Sequence, residues 1–157
     1  MPDPISSLHE LGYVVLKKQF SSEQADAVID CYHQFLADRG EERERFKKSN
    51  GRMMRLVNFH SVSEPLQQVF AGAEDVKSLA RTFFAGKEAA IYTSLFFQEG
   101  TQQGIHRDSP LFCTFPENQF LGCWFALEET DNTNGALRVM PKGHMLSSDE
   151  FHAASRF

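Results

Sequence analysis

Hydrophobic period changes at Gly86, and this change restricts the folds open to the chain more than any other feature. Ahead of it, Val28, Ile29, Tyr32, Phe35 and Leu36 recur at helical spacing. Ser21 and Gln24 stand before them in a capping-box arrangement, and Gly40 offers the stop. Val76, Leu79, Ala80, Phe83 and Phe84 repeat the spacing, with Ala85-Gly86 closing a second helix. Beyond Gly86, residues 89–98, 105–108, 120–127 and 136–140 are short apolar or alternating runs, separated by Gly, Pro, Asn and Asp clusters that read as turns. The run Gly12-Tyr13-Val14-Val15-Leu16 reads as an opening strand. Helices in front of a mainly antiparallel β-unit predict an α+β fold: a jelly roll (a cupin-like double-stranded β-helix) with N-terminal buttressing helices.

A length of 157 residues makes residues 1–157 a single domain, and 41% hydrophobic residues, 15 of them Phe, suffice for a buried core. A formal charge of -5 argues against a nucleic-acid partner and leaves a small molecule as the expected one. No apolar run reaches membrane-spanning length, and residues 1–10 lack the basic and apolar regions of a signal peptide, so the expected location is cytoplasmic, with no membrane partner. Cys31, Cys113 and Cys123 have no CxxC spacing and lie among apolar neighbours, which predicts buried, reduced thiols. Oligomeric state has no signature in the sequence.

The chemistry concentrates in Gln102-Gln103-Gly104-Ile105-His106-Arg107-Asp108-Ser109-Pro110. On a strand, His106 and Asp108 project to one face while Arg107 turns away, so an imidazole nitrogen and a carboxylate oxygen stand side by side. They amount to two ligands of the 2-His-1-carboxylate facial triad, which holds non-haem Fe(II) and leaves positions open for substrate and dioxygen. Six histidines and 21 acidic residues would give roughly one such spacing by chance, so the surroundings must decide. The segment from Glu41 to Arg55 is locally basic, with Arg43, Arg45, Lys47, Lys48, Arg52 and Arg55. It reads either as a solvated face or as a lid whose cations meet an anionic substrate.

From Gln98 through His144 the chain resembles the phytanoyl-CoA dioxygenase family of Fe(II)- and 2-oxoglutarate-dependent oxygenases. The pieces that carry the likeness are His106-Arg107-Asp108, Trp124-Phe125-Ala126-Leu127, Asn134-Gly135-Ala136-Leu137 and Pro141-Lys142-Gly143-His144, in the family's order. Gly12-Tyr13-Val14-Val15 ahead of a capped helix is similar to the family's opening. The resemblance implies His106 and Asp108 as iron ligands, Fe(II) as cofactor and 2-oxoglutarate as cosubstrate. It implies hydroxylation of a small organic substrate with release of succinate and CO2. It brings Trp124 near the cosubstrate, against the alternative of a core aromatic. Gln98 either reaches the 2-oxoglutarate carboxylate or ends its strand in solvent. Asp108 keeps the carboxylate that related halogenases replace, which implies hydroxylation over halogenation. Asn134-Gly135 is expected to form a tight hairpin with positive φ, returning the chain beside the Trp124 strand.

The family pattern also asks for a second histidine on a later strand, followed by an arginine. His144 and Arg156 come in that order, but His144 lies in a turn that precedes a connecting segment in relatives. Ser147 and Glu150 form another capping box, opening a helix through Phe151 and Ala154. The sequence ends within that helix, which leads us to expect a truncated oxygenase, lacking the distal strands. A non-catalytic binding or regulatory relative is therefore the alternative function. A cupin-type isomerase is the weaker third, because a His-x-His pair is missing. His60, after Arg55 and Asn58, reads either as lining the pocket or, with the stronger case, as structural, and His9, His33 and His152 carry no signal.

Overall fold

Reciprocal side-chain caps set the helix starts. In the computed structural model, Ser21 Oγ accepts from Gln24 N at 3.3 Å and Gln24 Oε1 accepts from Ser21 N at 2.9 Å, opening α2 (Ser22–Ala37). The structure describes residues 3–155 apart from 49, 52, 54, 99–102, 109–111, 113, 117 and 118, and the side chains of 43 and 46 are likewise left aside. The expected second helix is α4 (Glu74–Phe83), closed by a bond from Gly86 N to Arg81 O. The helix expected after Ser147 is α5 (Ser148–Ala154), with the same reciprocal cap between Ser147 and Glu150.

Two helices lie where no helix is expected. The first, α1 (Pro4–Leu11), has Asp3 as N-cap and a proline in its first turn. Gly12 is its left-handed C-cap at φ +84°, so this glycine ends a helix and does not open a strand. The second, α3 (Glu64–Gly72), starts at Ser63, whose hydroxyl accepts from Leu66 N at 3.4 Å. Their caps were readable in the sequence; their apolar faces are too short to show a clear period.

Between α2 and α3 the chain forms a 3-10 segment (Gly40–Phe46), β1 (Leu56–Val57) and a single 3-10 turn (Phe59–Ser61). β1 pairs antiparallel with β2 (Leu95–Phe96) in the register Leu56↔Phe96 and Val57↔Leu95. Asn58, at φ +55°, fastens this pair: its N donates to Ser94 O at 2.7 Å, and its Oδ1 accepts from Ser94 N and Thr93 Oγ1 at 3.0 Å each.

Val28, Tyr32, Leu56, Phe59, Leu66, Val69 and Phe96 form the core. Tyr32 stacks on Phe96 at 4.7 Å, and Phe59 meets Phe96 and Phe35 edge-on at 5.1 and 5.2 Å. The helical stripe of α2 thus packs on α3 and on the β1–β2 pair. At the other side α1 rests on α4, with His9 stacked on Phe83 at 6.0 Å.

The fold is mixed helix and a small sheet, as an α+β chain requires, and among the described residues β1–β2 is the one paired ladder, fewer strands than a jelly roll has. Residues 12–16, 105–108, 120–127 and 136–140 carry strand-like composition but no strand assignment. Apolar runs become strands only where a neighbour supplies ladder hydrogen bonds. In 120–127 the apolar side chains have another outlet, because Phe125 and Leu127 pack on the helical core. The Asn134-Gly135 hairpin is corrected in the same way: Gly135 has φ +98°, while Asn134 is not among the residues with positive φ. The turn is closed by Ala136 N to Asp131 O at 3.0 Å, and Asn134 Nδ2 donates to Glu129 O at 2.7 Å. Side-chain bonds take the place of the backbone twist that a two-residue turn would need. No helix among the described residues is long and apolar enough to cross a membrane.

Candidate metal centre

His106 and Asp108 lie in an irregular segment, and their side chains nevertheless meet, with Nε2 3.4 Å from Oδ1. Donors about 2.1 Å from a first-row divalent metal and at right angles to it stand about 3 Å apart, so this spacing is within a few tenths of an ångström of a chelating pair. Each side chain is about half exposed, at 49% and 51%. The segment's backbone is occupied locally: Gly104 O accepts from His106 Nδ1 at 2.8 Å, and Asp108 O accepts from Phe112 N at 3.0 Å.

The bond to Gly104 decides the tautomer. A carbonyl only accepts, so Nδ1 carries the proton, and a neutral ring then presents the Nε2 lone pair to Asp108. Two acceptors facing each other at 3.4 Å call for a cation or a second proton between them. A histidine whose far nitrogen is held by a backbone carbonyl is the usual arrangement of a metal ligand. Arg107 points elsewhere, its Nη2 donating to Gly143 O and Leu146 O, both at 2.6 Å.

Gln98 follows β2, and its Oε1 accepts from the Tyr32 hydroxyl at 2.9 Å. That partner was not visible in the sequence, because the two residues are 66 positions apart. The amide nitrogen of Gln98 keeps its donors for another acceptor. Trp124 is 49% exposed, which removes the core-aromatic reading. Among the described residues, neither Gln98 nor Trp124 hydrogen-bonds to His106 or Asp108.

The other candidates separate from this centre. His144 Nε2 donates to His9 O at 2.9 Å, and its ring lies against Gly12, so it ties the 141–145 turn to the end of α1. Arg156, Arg52 and Cys113 fall outside the described residues. His60 Nδ1 shares a 2.6 Å hydrogen bond with Ser94 Oγ, which fits its structural reading. The cysteine expectation is corrected at Cys123, which is free and exposed, while Cys31 is partly buried beside the core. Residues 120–124 belong to no helix or strand, and apolar neighbours in sequence gave Cys123 less than full burial. Among the described residues, no three His, Cys, Asp or Glu side chains gather as a complete metal cage.

In the basic segment, Lys47 pairs with Glu44 at 2.7 Å. Arg55 and Arg39 line an open cleft of about 410 Å³ together with Phe35, Leu56, Val57 and Phe59. Arg39 lies 3.4 Å above the Phe35 ring. The lining of this cleft does not include His106 or Asp108.

An imidazole and a carboxylate two residues apart, one locked by a carbonyl, have the chemistry of two donors to a transition metal. The family model described as Phytanoyl-CoA dioxygenase (PhyH) matches residues 8–156, and the chain belongs to this family. Membership makes it a relative of dioxygenases that generally use Fe(II) and 2-oxoglutarate. The chain matches no curated protein and no solved structure.

Proposed function

We propose that this chain acts as an Fe(II)- and 2-oxoglutarate-dependent oxygenase that hydroxylates a small organic substrate, with His106 and Asp108 as metal ligands. The observation that carries this reading is the approach of His106 Nε2 to Asp108 Oδ1 at 3.4 Å, with the opposite ring nitrogen held by Gly104 O. Bound Fe(II) would supply the oxidative chemistry, in which 2-oxoglutarate yields succinate and CO2. The protein's part is geometric. Gly104 O holds the ring so that Nε2 faces the Asp108 carboxylate beside it. Tyr32 fixes Gln98 Oε1, which leaves the Gln98 amide N–H groups to meet a cosubstrate carboxylate. Trp124 offers an exposed aromatic surface for the same cosubstrate. Retention of a carboxylate at position 108 supports hydroxylation over halogenation. The double-stranded β-helix, the single domain over 1–157, the cytoplasmic location and the absence of nucleic-acid or membrane partners belong to the same reading. An anionic substrate is supported by the basic segment from Glu41 to Arg55.

Anaerobic addition of Fe(II) and then 2-oxoglutarate should give a visible metal-to-ligand charge-transfer band, which His106→Ala abolishes. Wild-type protein with no band would refute the reading.

One observation favours a second reading: the described residues supply two metal donors and no third. On that reading the chain is a binding or regulatory relative without turnover. Succinate production by the purified chain that depends on His106 would overturn it.

A further inference from the structure

The two proposed ligands lie on a segment that no sheet holds, yet they face each other. Among the described residues, Arg107 is the long-range hydrogen-bonded anchor of 104–108. Its Nη2 reaches across 36 and 39 positions to donate to Gly143 O and Leu146 O, at 2.6 Å each. Its guanidinium carbon stands 4.5 Å from the Phe151 ring centroid. Those carbonyls belong to the turn just before Ser147, the N-cap of α5, and Phe151 is the buried residue of that helix. The turn is itself tied to α1, through Lys142 N to Leu11 O at 2.7 Å and His144 to His9 O. Arg107 Nε is buried without a hydrogen-bond partner among the described residues, a desolvation cost that the remaining contacts must offset.

His106 and Asp108 flank Arg107, and their side chains meet each other while that of Arg107 reaches away to the α5 cap. Fastening Arg107 there fixes the residue between the two donors, and with it the backbone that presents them. Resting on the ligand roles proposed above, we infer that Arg107 is the positioning residue of the metal centre: it makes the geometry of the donor pair depend on the α1–turn–α5 corner instead of on a β-ladder. Lysine cannot replace it fully, since an ammonium lacks the planar fork and the flat face that lies over Phe151.

Mn(II) titration followed by paramagnetic broadening of the backbone amide resonances of residues 105–108 reads weak binding directly. Wild-type protein should show site-specific broadening that His106→Ala removes. Arg107→Met should weaken the apparent Mn(II) affinity about tenfold, the usual scale for losing a supporting residue behind a ligand. In the metal-free protein the same variant should speed amide hydrogen exchange in 104–108 and 148–154 together, which a role confined to α5 would not do. Arg107→Lys should bind at least about threefold more weakly, and it serves if the methionine variant does not fold. A folded Arg107→Met or Arg107→Lys protein with wild-type Mn(II) affinity and unchanged exchange at 104–108 overturns the inference alone. Absence of broadening in the wild type overturns the ligand assignment, and this inference with it.

Discussion

Substituting Gly12 by alanine tests the junction between the N-terminal helix and the turn that precedes α5. Gly12 sits at φ +84°, where a side-chain-bearing residue costs about 1–2 kcal/mol. A Cβ at this position would overlap His144 Nδ1 and stand 3.1 Å from its Cε1, so the ring must move. The ring is held by its bond from Nε2 to His9 O at 2.9 Å, and losing that bond costs about 1 kcal/mol. Gly12→Ala should therefore destabilise the wild type by about 2–3 kcal/mol, as the sum of these two effects. In a His144→Ala background the ring is gone and only the backbone cost of about 1–2 kcal/mol remains. Urea denaturation followed by circular dichroism of all four proteins of the cycle gives the coupling, expected at about 1 kcal/mol. Equal costs of Gly12→Ala in both backgrounds would show that His144 does not pack there, and would refute the account of this corner.

Phe59→Ala should cost about 3–5 kcal/mol in chemical denaturation, because the ring is 2% exposed and central to the aromatic cluster. A loss under about 1 kcal/mol would place the core elsewhere. Tyr32→Phe keeps the stack on Phe96 but removes the bond to Gln98, so stability should fall by about 1 kcal/mol and the Gln98 side-chain amide resonances should shift; unshifted resonances would count against that bond. The Ser147 backbone N–H and hydroxyl hold the Glu150 carboxyl below its ordinary range. The folded value being the lower one, the cap's contribution is complete above the ordinary carboxylate range and disappears as pH falls through the depressed value. Glu150→Gln should flatten the acid-side change in hydrogen-exchange protection of α5, and an unchanged pH profile would show that the cap does not titrate.

Local signals carried well from sequence to structure. Ser21 with Gln24, and Ser147 with Glu150, open helices because a cap and the donors it satisfies lie within one turn. Asp3-Pro4 with Gly12, and Ser63 ahead of Pro65, encode α1 and α3 by the same chemistry, although their short apolar faces hid them. Strand composition after Gly86 carried less well. A strand requires a partner, and among the described residues Leu95–Phe96 is the part of those runs that finds one, in Leu56–Val57, a pair that no sequence pattern announces.

The sequence by itself determined the helix starts and the spacing of His106 and Asp108, because each depends on residues only a few positions apart, and it determined the family through the order of short motifs along the chain. Tertiary structure alone decided that Gly104 sets the imidazole tautomer, that Tyr32 holds Gln98, that His144 serves α1, and that Arg107 is fastened 36 and 39 positions away. Those outcomes depend on where hydrogen-bonding groups find partners once the aromatic core has closed. Such pairing is settled by packing across the whole chain and leaves no local periodicity to read.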